Sequence, residues 1–162
     1  MQKRFFAIIL CAIIFGLFCL AAKNSSKAAF SSTNPTGYAI IKVLEDASMS
    51  PINNATICVV ETRCYYQTNK YGYTDKIPVP VISNKNFDIS LKRDYGEFTI
   101  IVYAPGYTTL VSYYNAVYSG MTNAGIVCKL QPIINAGDRQ FTSSANKPSD
   151  DYTEKLITLY KK

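Results

Sequence analysis

The feature that most constrains this fold is a succession of short runs rich in Ile, Val, Thr and Tyr between residues 37 and 133. Gly, Pro, Asn and Asp separate these runs, as they commonly separate strands in β proteins. No part of this region keeps a sustained 3.6-residue hydrophobic period. The predicted strands are residues 38–44, 56–61, 64–68, 73–79, 87–91, 98–104, 108–114 and 126–130. Eight short strands at this spacing predict an all-β sandwich or small barrel.

The N-terminus has the pattern of an export signal. Residues 5–22 carry no charge and follow Lys3 and Arg4, which is typical of a secretory signal peptide. Ala21 at −1 and Cys19 at −3 would suit cleavage after Ala21. The alternative is an uncleaved anchor, because this run is close to the shortest that spans a bilayer. In either case the sequence predicts that the rest of the chain lies outside the cytoplasm.

The net charge of +6 does not indicate a nucleic-acid partner. Residues 1–36 hold four basic side chains and no acidic one, whereas residues 37–133 hold eight basic and seven acidic side chains. A nucleic-acid-binding protein concentrates its positive charge on the folded domain. The excess here belongs to the export segment, so no nucleic-acid partner is predicted.

The absence of histidine removes several classes of active site. The chain has no His, which excludes Ser-His-Asp and Cys-His catalysis and imidazole metal ligation. Its cysteines lack the CxxC spacing of zinc or redox sites, and its carboxylates are not paired in sequence. We therefore expect a non-enzymatic protein without catalytic residues, cofactor or metal, with an enzyme of unknown type as a distant alternative.

Four stretches of the strand-rich region occur in an order and spacing typical of a known family. They are GYAIIKV followed by PINNATI at 37–57, TNKYGYT at 68–74, YGEFTIIVYAPGY at 95–107 and VCKLQP at 127–132. Together they resemble the carboxypeptidase regulatory-like domain family. That resemblance implies a transthyretin-like antiparallel β-sandwich of seven or eight strands over residues 37–133. It also implies a non-catalytic module of the kind often attached to secreted enzymes or surface proteins.

Two glycines in these stretches sit where turns are expected. Gly72 and Gly106 each follow a polar or proline-containing step, and glycine reaches positive φ without steric cost. The third stretch also resembles collagen-adhesin B-type domains, which build a lysine–asparagine isopeptide bond. Lys42 could supply the lysine, but Val102 stands where the catalytic acid would be. No such bond is therefore predicted.

The remaining segments are predicted to flank a single domain. Residues 1–22 form the signal peptide or anchor helix, residues 23–36 a polar linker, and residues 134–162 a polar tail. Within the tail, Tyr152, Leu156 and Tyr160 recur every four residues, which favours a short helix at 151–161. Because both flanks are polar, we predict that linker and tail are dispensable for folding.

Strand parity selects a candidate interaction surface. If Phe98, Ile100 and Val102 face the core, Ile101 and Tyr103 lie on the opposite face, which in a two-layer sandwich normally meets water. These two side chains are therefore a predicted contact site for a partner. The alternative is that the tail covers them, through Leu156 and Tyr160.

The cysteines after the leader allow two interpretations. Cys58 and Cys64 flank a turn near residues 61–63, and a three-residue loop would place them opposite each other. Outside the cytoplasm a disulfide between them would then be permitted. Otherwise they are small buried hydrophobic residues, as expected for Cys128.

These features predict a secreted or cell-surface β-sandwich with an interaction or structural role in the cell envelope. Its expected partners are cell-wall glycan or another envelope protein. The alternative is a single-span, membrane-anchored accessory subunit of an envelope assembly, held through residues 5–22.

Overall fold

The computed structural model describes residues 35–82, 95–135, 140–144 and 147–162. These ranges contain eight strands and one helix. The elements are β1 (Thr36–Glu45), β2 (Thr56–Val59), β3 (Cys64–Gln67), β4 (Ile77–Pro80), β5 (Tyr95–Tyr103), β6 (Thr109–Tyr118), β7 (Thr122–Leu130), β8 (Phe141–Ser143) and α1 (Asp150–Tyr160). The predicted leader or anchor and the predicted strand at 87–91 lie outside the described residues.

The strands form two sheets that pack face to face. A three-stranded sheet has the order β4-β1-β7, and a five-stranded sheet has the order β3-β2-β5-β6-β8. Alternate residues of β1 point into the space between them, where Ala39, Ile41 and Val43 are fully buried. They belong to one cluster with Phe98 and Ile100 of β5. The predicted all-β sandwich is therefore confirmed.

Both sheets are mixed, which differs from the wholly antiparallel arrangement predicted. β7 runs parallel to β1 from the Tyr38↔Thr122 pair to the Glu45↔Leu130 pair, and β8 runs parallel to β6. Parallel neighbours need a long crossover connection. Between β1 and β7 that crossover includes the strands of the other sheet, so the chain closes the sandwich by returning to its first strand.

The domain continues beyond its predicted end at residue 133. β8 pairs with β6 at the edge of the five-stranded sheet, and Leu156 of α1 is buried. The helix predicted at 151–161 is present at Asp150–Tyr160. The boundary at 133 is therefore too early, because the tail contributes a strand and a packed helix to the same compact unit.

Two buried threonines tie the segment between β3 and β4 to its neighbours. The Thr68 hydroxyl donates to the carbonyl oxygen of Ile52 (2.7 Å) and accepts from the backbone N–H of Ala55 (2.9 Å). The Thr74 hydroxyl accepts from the backbone N–H of Ile41 (3.0 Å). These bonds satisfy backbone groups that would be costly to bury unpaired. They hold the residues before β4 in a turn, so β4 begins at Ile77 and not at the predicted residue 73.

Gly72 lies at the closest approach between this turn and β1. Its φ is +77°, and a Cβ built at this position would lie 2.6 Å from the carbonyl oxygen of Val43. The backbone N–H of Val43 donates to the carbonyl oxygen of Gly72 (2.8 Å). Gly106 has a similar φ of +81°, but a Cβ there would meet nothing within 4 Å. Only Gly72 is therefore required both for its backbone conformation and for space.

Because the two glycines share a positive φ and differ in the space around them, substituting each by alanine separates the two costs. Gly106→Ala should cost only the left-handed conformation, about 1–2 kcal/mol of unfolding free energy. Gly72→Ala should cost that amount plus about 1–3 kcal/mol for the forced separation of turn and strand. Urea unfolding of both variants checks this, and equal losses would contradict the close approach.

Candidate functional site

The predicted interaction surface at Ile101 and Tyr103 is covered by the chain itself. Ile101 is fully buried and Tyr103 is half-buried, because α1 lies across this face of the five-stranded sheet. The buried members of this second cluster are Cys58, Ile101, Val111, Tyr113 and Leu156. The two residues therefore do not form a free surface, and the tail packs there through Leu156 and Tyr160, as the alternative interpretation had it.

Hydrogen bonds fix α1 on the sheet near both of its ends. Ser149 caps its N-terminus. The Thr153 and Tyr113 hydroxyl groups lie 2.9 Å apart in a buried contact. At the other end, the Tyr65 hydroxyl donates to the carbonyl oxygen of Tyr160 (2.8 Å), one of the carbonyl groups that a helix leaves unpaired at its C-terminus. The contact is therefore specific as well as apolar.

Two leucines of α1 test how much this contact stabilises the domain. Leu156→Ala should lower the unfolding free energy by about 2–4 kcal/mol, since it leaves a cavity between helix and sheet. Leu159→Ala removes the same atoms from a side chain that is 75% exposed and should change stability by less than about 0.5 kcal/mol. Thermal or urea unfolding gives both values. If both substitutions changed the unfolding free energy by the same small amount, the tail would be dispensable for folding, as predicted from the sequence.

Cys58 and Cys64 do not form the disulfide considered above. Cys58 pairs with Tyr65 and Cys64 pairs with Val59, because four residues separate the two strands instead of three. Neighbouring positions on a strand point to opposite faces, so one thiol lies beneath α1 and the other on the core side. Both are free.

The thiols of Cys58 and Cys128 are also poor nucleophiles. Burial raises the pKa of Cys58, and burial in the core raises the pKa of Cys128 to about 12. Reactive cysteines need the opposite shift, toward the thiolate at neutral pH. Cys58 and Cys128 therefore act as small core residues.

Glu61, in the loop between β2 and β3, is a half-buried carboxylate. Its Oε1 accepts from the backbone N–H of Thr99 (2.8 Å), while its Oε2 is buried without a hydrogen-bond partner. The register of β5 against β6 shifts at Thr99, between Phe98 and Ile100. Burial raises the pKa of Glu61. Since its described partner is a backbone amide, Glu61 braces this irregularity and does not form an acid–base pair.

The raised pKa gives Glu61 a defined pH signature. The folded protein binds its proton more tightly than the unfolded chain does, so stability should fall as pH rises from the ordinary glutamate pKa through the raised one. Glu61→Gln cannot titrate. The unfolding free energy of the wild type relative to this variant should therefore increase as pH is lowered from 8 to 5. A difference independent of pH, or one of opposite slope, would contradict the assignment.

Three tyrosines on β1 and on the turn at 68–74 each lie beside a lysine; Tyr71 and Tyr73 are exposed and Tyr38 is half-buried. The Nζ atom of Lys76 lies 3.9 Å from the ring centroid of Tyr38. The corresponding distance is 4.9 Å for Lys42 over Tyr73 and for Lys70 over Tyr71. We call this set the Tyr–Lys face; its members are Tyr38, Lys42, Lys70, Tyr71, Tyr73 and Lys76.

The fold positions both halves of the Tyr–Lys face. Tyr38 and Lys42 lie on β1 at positions that alternate with its core residues. Lys42 is the bridge partner of Tyr73. The Asn69 side chain accepts from the backbone N–H groups of Tyr71 (2.9 Å) and Tyr73 (3.2 Å), an Asx-type turn that holds Tyr71 with 61% of its surface exposed. The face is thus built on a strand and a braced turn.

The sequence did not lead us to this face, although the alternation in β1 indicates some of its residues. In GYAIIKV the inward residues Ala39, Ile41 and Val43 alternate with Tyr38, Ile40 and Lys42, so parity alone gave the outward set. The partner tyrosines could not be found in this way. They come from the turn at 68–74, whose docking beside β1 depends on the threonine bonds and on Gly72.

The described parts of the chain show no metal centre and no membrane span. In residues 35–82, 95–135, 140–144 and 147–162, no cluster of three or more His, Cys, Asp or Glu side chains could hold a metal ion. In the same ranges no helix combines the length and apolar character needed to cross a membrane.

Comparisons with known proteins give a distant structural likeness. No family model and no curated protein matches the chain. Nine chains of solved structures match. One is the Bacillus anthracis TIE protein, with 14% sequence identity and a TM-score of 0.42 over 61% of this chain and 17% of that chain. This chain therefore spans less than a fifth of the length of that protein, and the likeness assigns it no function.

Proposed function

We propose that this chain is an exported, non-catalytic β-sandwich module that makes contacts in the cell envelope, with the Tyr–Lys face as its contact surface. The observation that carries the proposal is the pairing of three tyrosines, two of them exposed, with three lysines on β1 and on residues 70–76 beside it. Exposed aromatic and charged side chains on a rigid scaffold are typical of binding surfaces. The apolar outer side of the five-stranded sheet is already covered by α1.

The chemistry of the side chains supports a non-catalytic role. The chain has no histidine, burial raises the pKa values of Cys58 and Cys128, and Glu61 contacts a backbone amide. General acid–base and nucleophilic catalysis need a titrating group beside a second reactive group. Cys58 contacts the Tyr65 hydroxyl, but burial raises the pKa of both groups, that of Tyr65 to about 12; Cys128 and Glu61 show no such partner in their described contacts.

The export of the chain and its relation to a known domain family are parts of the same proposal. The uncharged run at 5–22 behind Lys3 and Arg4 supports export. The order of the four sequence stretches supports kinship with carboxypeptidase regulatory-like domains, and both of their turn glycines, Gly72 and Gly106, adopt positive φ. The favoured partners are cell-wall glycan or another envelope protein.

A second candidate is a membrane-anchored accessory subunit of an envelope assembly. It differs from the first only in the fate of residues 5–22. The intact mass of protein isolated from its native cells separates the two. A chain that starts after Ala21 supports secretion, and a full-length chain in the membrane fraction supports the anchor.

We expect purified protein to sediment with native envelope material and to depend on the Tyr–Lys face. The double variant Lys42→Gln, Tyr71→Ser should be retained about tenfold less, equivalent to about 1.4 kcal/mol. The control, Tyr152→Ser with Lys155→Gln, removes one exposed tyrosine and one lysine from α1 and should be retained like the wild type. No retention of the wild type, or wild-type retention of the first variant at equal stability, would refute the proposal.

A further inference from the structure

We infer that the Tyr–Lys face binds an acidic polysaccharide, that is, a polymer of sugar rings carrying carboxylate, sulfate or phosphate groups. This inference rests on the proposed function and names the ligand class of the same surface.

The positive charge of the face is not neutralised within the described structure. Lys42, Lys70 and Lys76 form no ion pair there; their contacts are with tyrosine rings. The nearest acid in sequence is the exposed Asp75, beside Lys76. By contrast, Lys129 on β7 lies 4.0 Å from Asp46. Three ammonium groups against Asp75 leave an excess of positive charge on this face, and Glu45 further along β1 is engaged by the Tyr107 hydroxyl (2.9 Å). This excess favours an anionic ligand.

The tyrosine rings hold these ammonium groups in place. A lysine side chain in water samples many rotamers, and ordering it on binding costs about 0.5–1.5 kcal/mol. A cation–π contact at an exposed site contributes about 0.5–1 kcal/mol. Each lysine that lies over a ring is therefore partly ordered before a ligand arrives, which reduces the entropy that an anion must overcome on binding.

Each pair also offers groups that suit the hydroxyls of a sugar. A phenolic hydroxyl both donates and accepts hydrogen bonds, whereas an ammonium group only donates. A sugar unit with an acidic substituent needs both kinds of partner. Along β1, Tyr38 and Lys42 are about 13 Å apart at the usual rise of a strand, and Tyr73 is the bridge partner of Lys42. An open row of such pairs fits a polymer better than a single small molecule.

The composition of the face disfavours two other macromolecules. Lysine is depleted in the cores of protein–protein interfaces, yet it supplies three of the six residues of the Tyr–Lys face, and an ammonium group lies over each tyrosine ring. A nucleic-acid-binding domain concentrates basic charge, whereas residues 37–133 hold eight basic and seven acidic side chains. An acidic glycan requires neither a large apolar area nor a strongly basic domain.

The direct test measures binding of the purified protein to three polymers by affinity electrophoresis. Polygalacturonate supplies carboxylates, dextran sulfate supplies sulfates, and neutral dextran supplies neither. We expect retardation by at least one acidic polymer and none by neutral dextran, with an apparent affinity that falls as NaCl is raised, because salt screens exposed charges. Retardation by neutral dextran alone, or by none of the three, would overturn the inference.

Two sets of variants separate a built site from general ionic attraction. Lys42→Gln with Lys76→Gln should weaken binding at least tenfold. Lys155→Gln with Lys162→Gln, which removes the same charge from α1 and the residues just after it, should leave binding unchanged. Tyr71→Phe with Tyr73→Phe keeps every charge and should weaken binding several-fold through the lost hydroxyls. Equal losses in the two lysine pairs, or no loss in the phenylalanine pair, would overturn the inference.

Envelope retention distinguishes failure of the ligand class from failure of the proposed function. If soluble acidic polysaccharide competes with retention, and retention survives protease treatment of the envelope, both the ligand class and the proposed function stand. If retention resists the polymer and is lost after protease treatment, the partner is a protein; the ligand class is then wrong while the proposed function stands. Absence of any retention would refute the proposed function itself.

Discussion

The inward packing of β1 determines the arrangement on which the rest of the structure depends. Ala39, Ile41 and Val43 are buried against the five-stranded sheet, and a strand cannot turn one residue inward without turning its neighbours outward. The same burial that stabilises the sandwich therefore presents Tyr38 and Lys42 on its outer side. A slip of one residue in this strand would expose the core and bury the candidate contact surface.

Much of this arrangement was predictable from the sequence. The alternation in β1 and β5 and the Gly-containing turns identified the strands, because these signals are local. The parallel pairing of β1 with β7 was not predictable, since it joins the first and last long strands and depends on the path of everything between them. The same applies to β8, whose three residues are too few to show alternation.

The candidate site was likewise predictable only where it depends on local sequence. The outward set on β1 follows from parity, but Tyr71 and Tyr73 reach it only because the turn that bears them packs against β1 through Thr74 and Gly72. Ile101 points away from the core between the sheets, as alternation along the strand predicted. It is nevertheless buried, because α1 covers it. Alternation within a strand does not show whether another element packs on its outer side. The tail is mostly polar, so the few apolar residues with which α1 packs on the sheet, such as Leu156, did not stand out.

The packing of α1 on this sheet has a consequence for the order in which the protein becomes complete. The face that α1 covers is built from strands β2, β3, β5 and β6, all of which precede the helix in the chain. Because synthesis proceeds from the N-terminus, these strands are made before the helix that covers them. Until α1 packs, Ile101 and Val111 lack the Leu156 side chain that covers them in the complete domain. The helix α1 thus completes a sheet whose outer apolar side the earlier strands alone would leave uncovered.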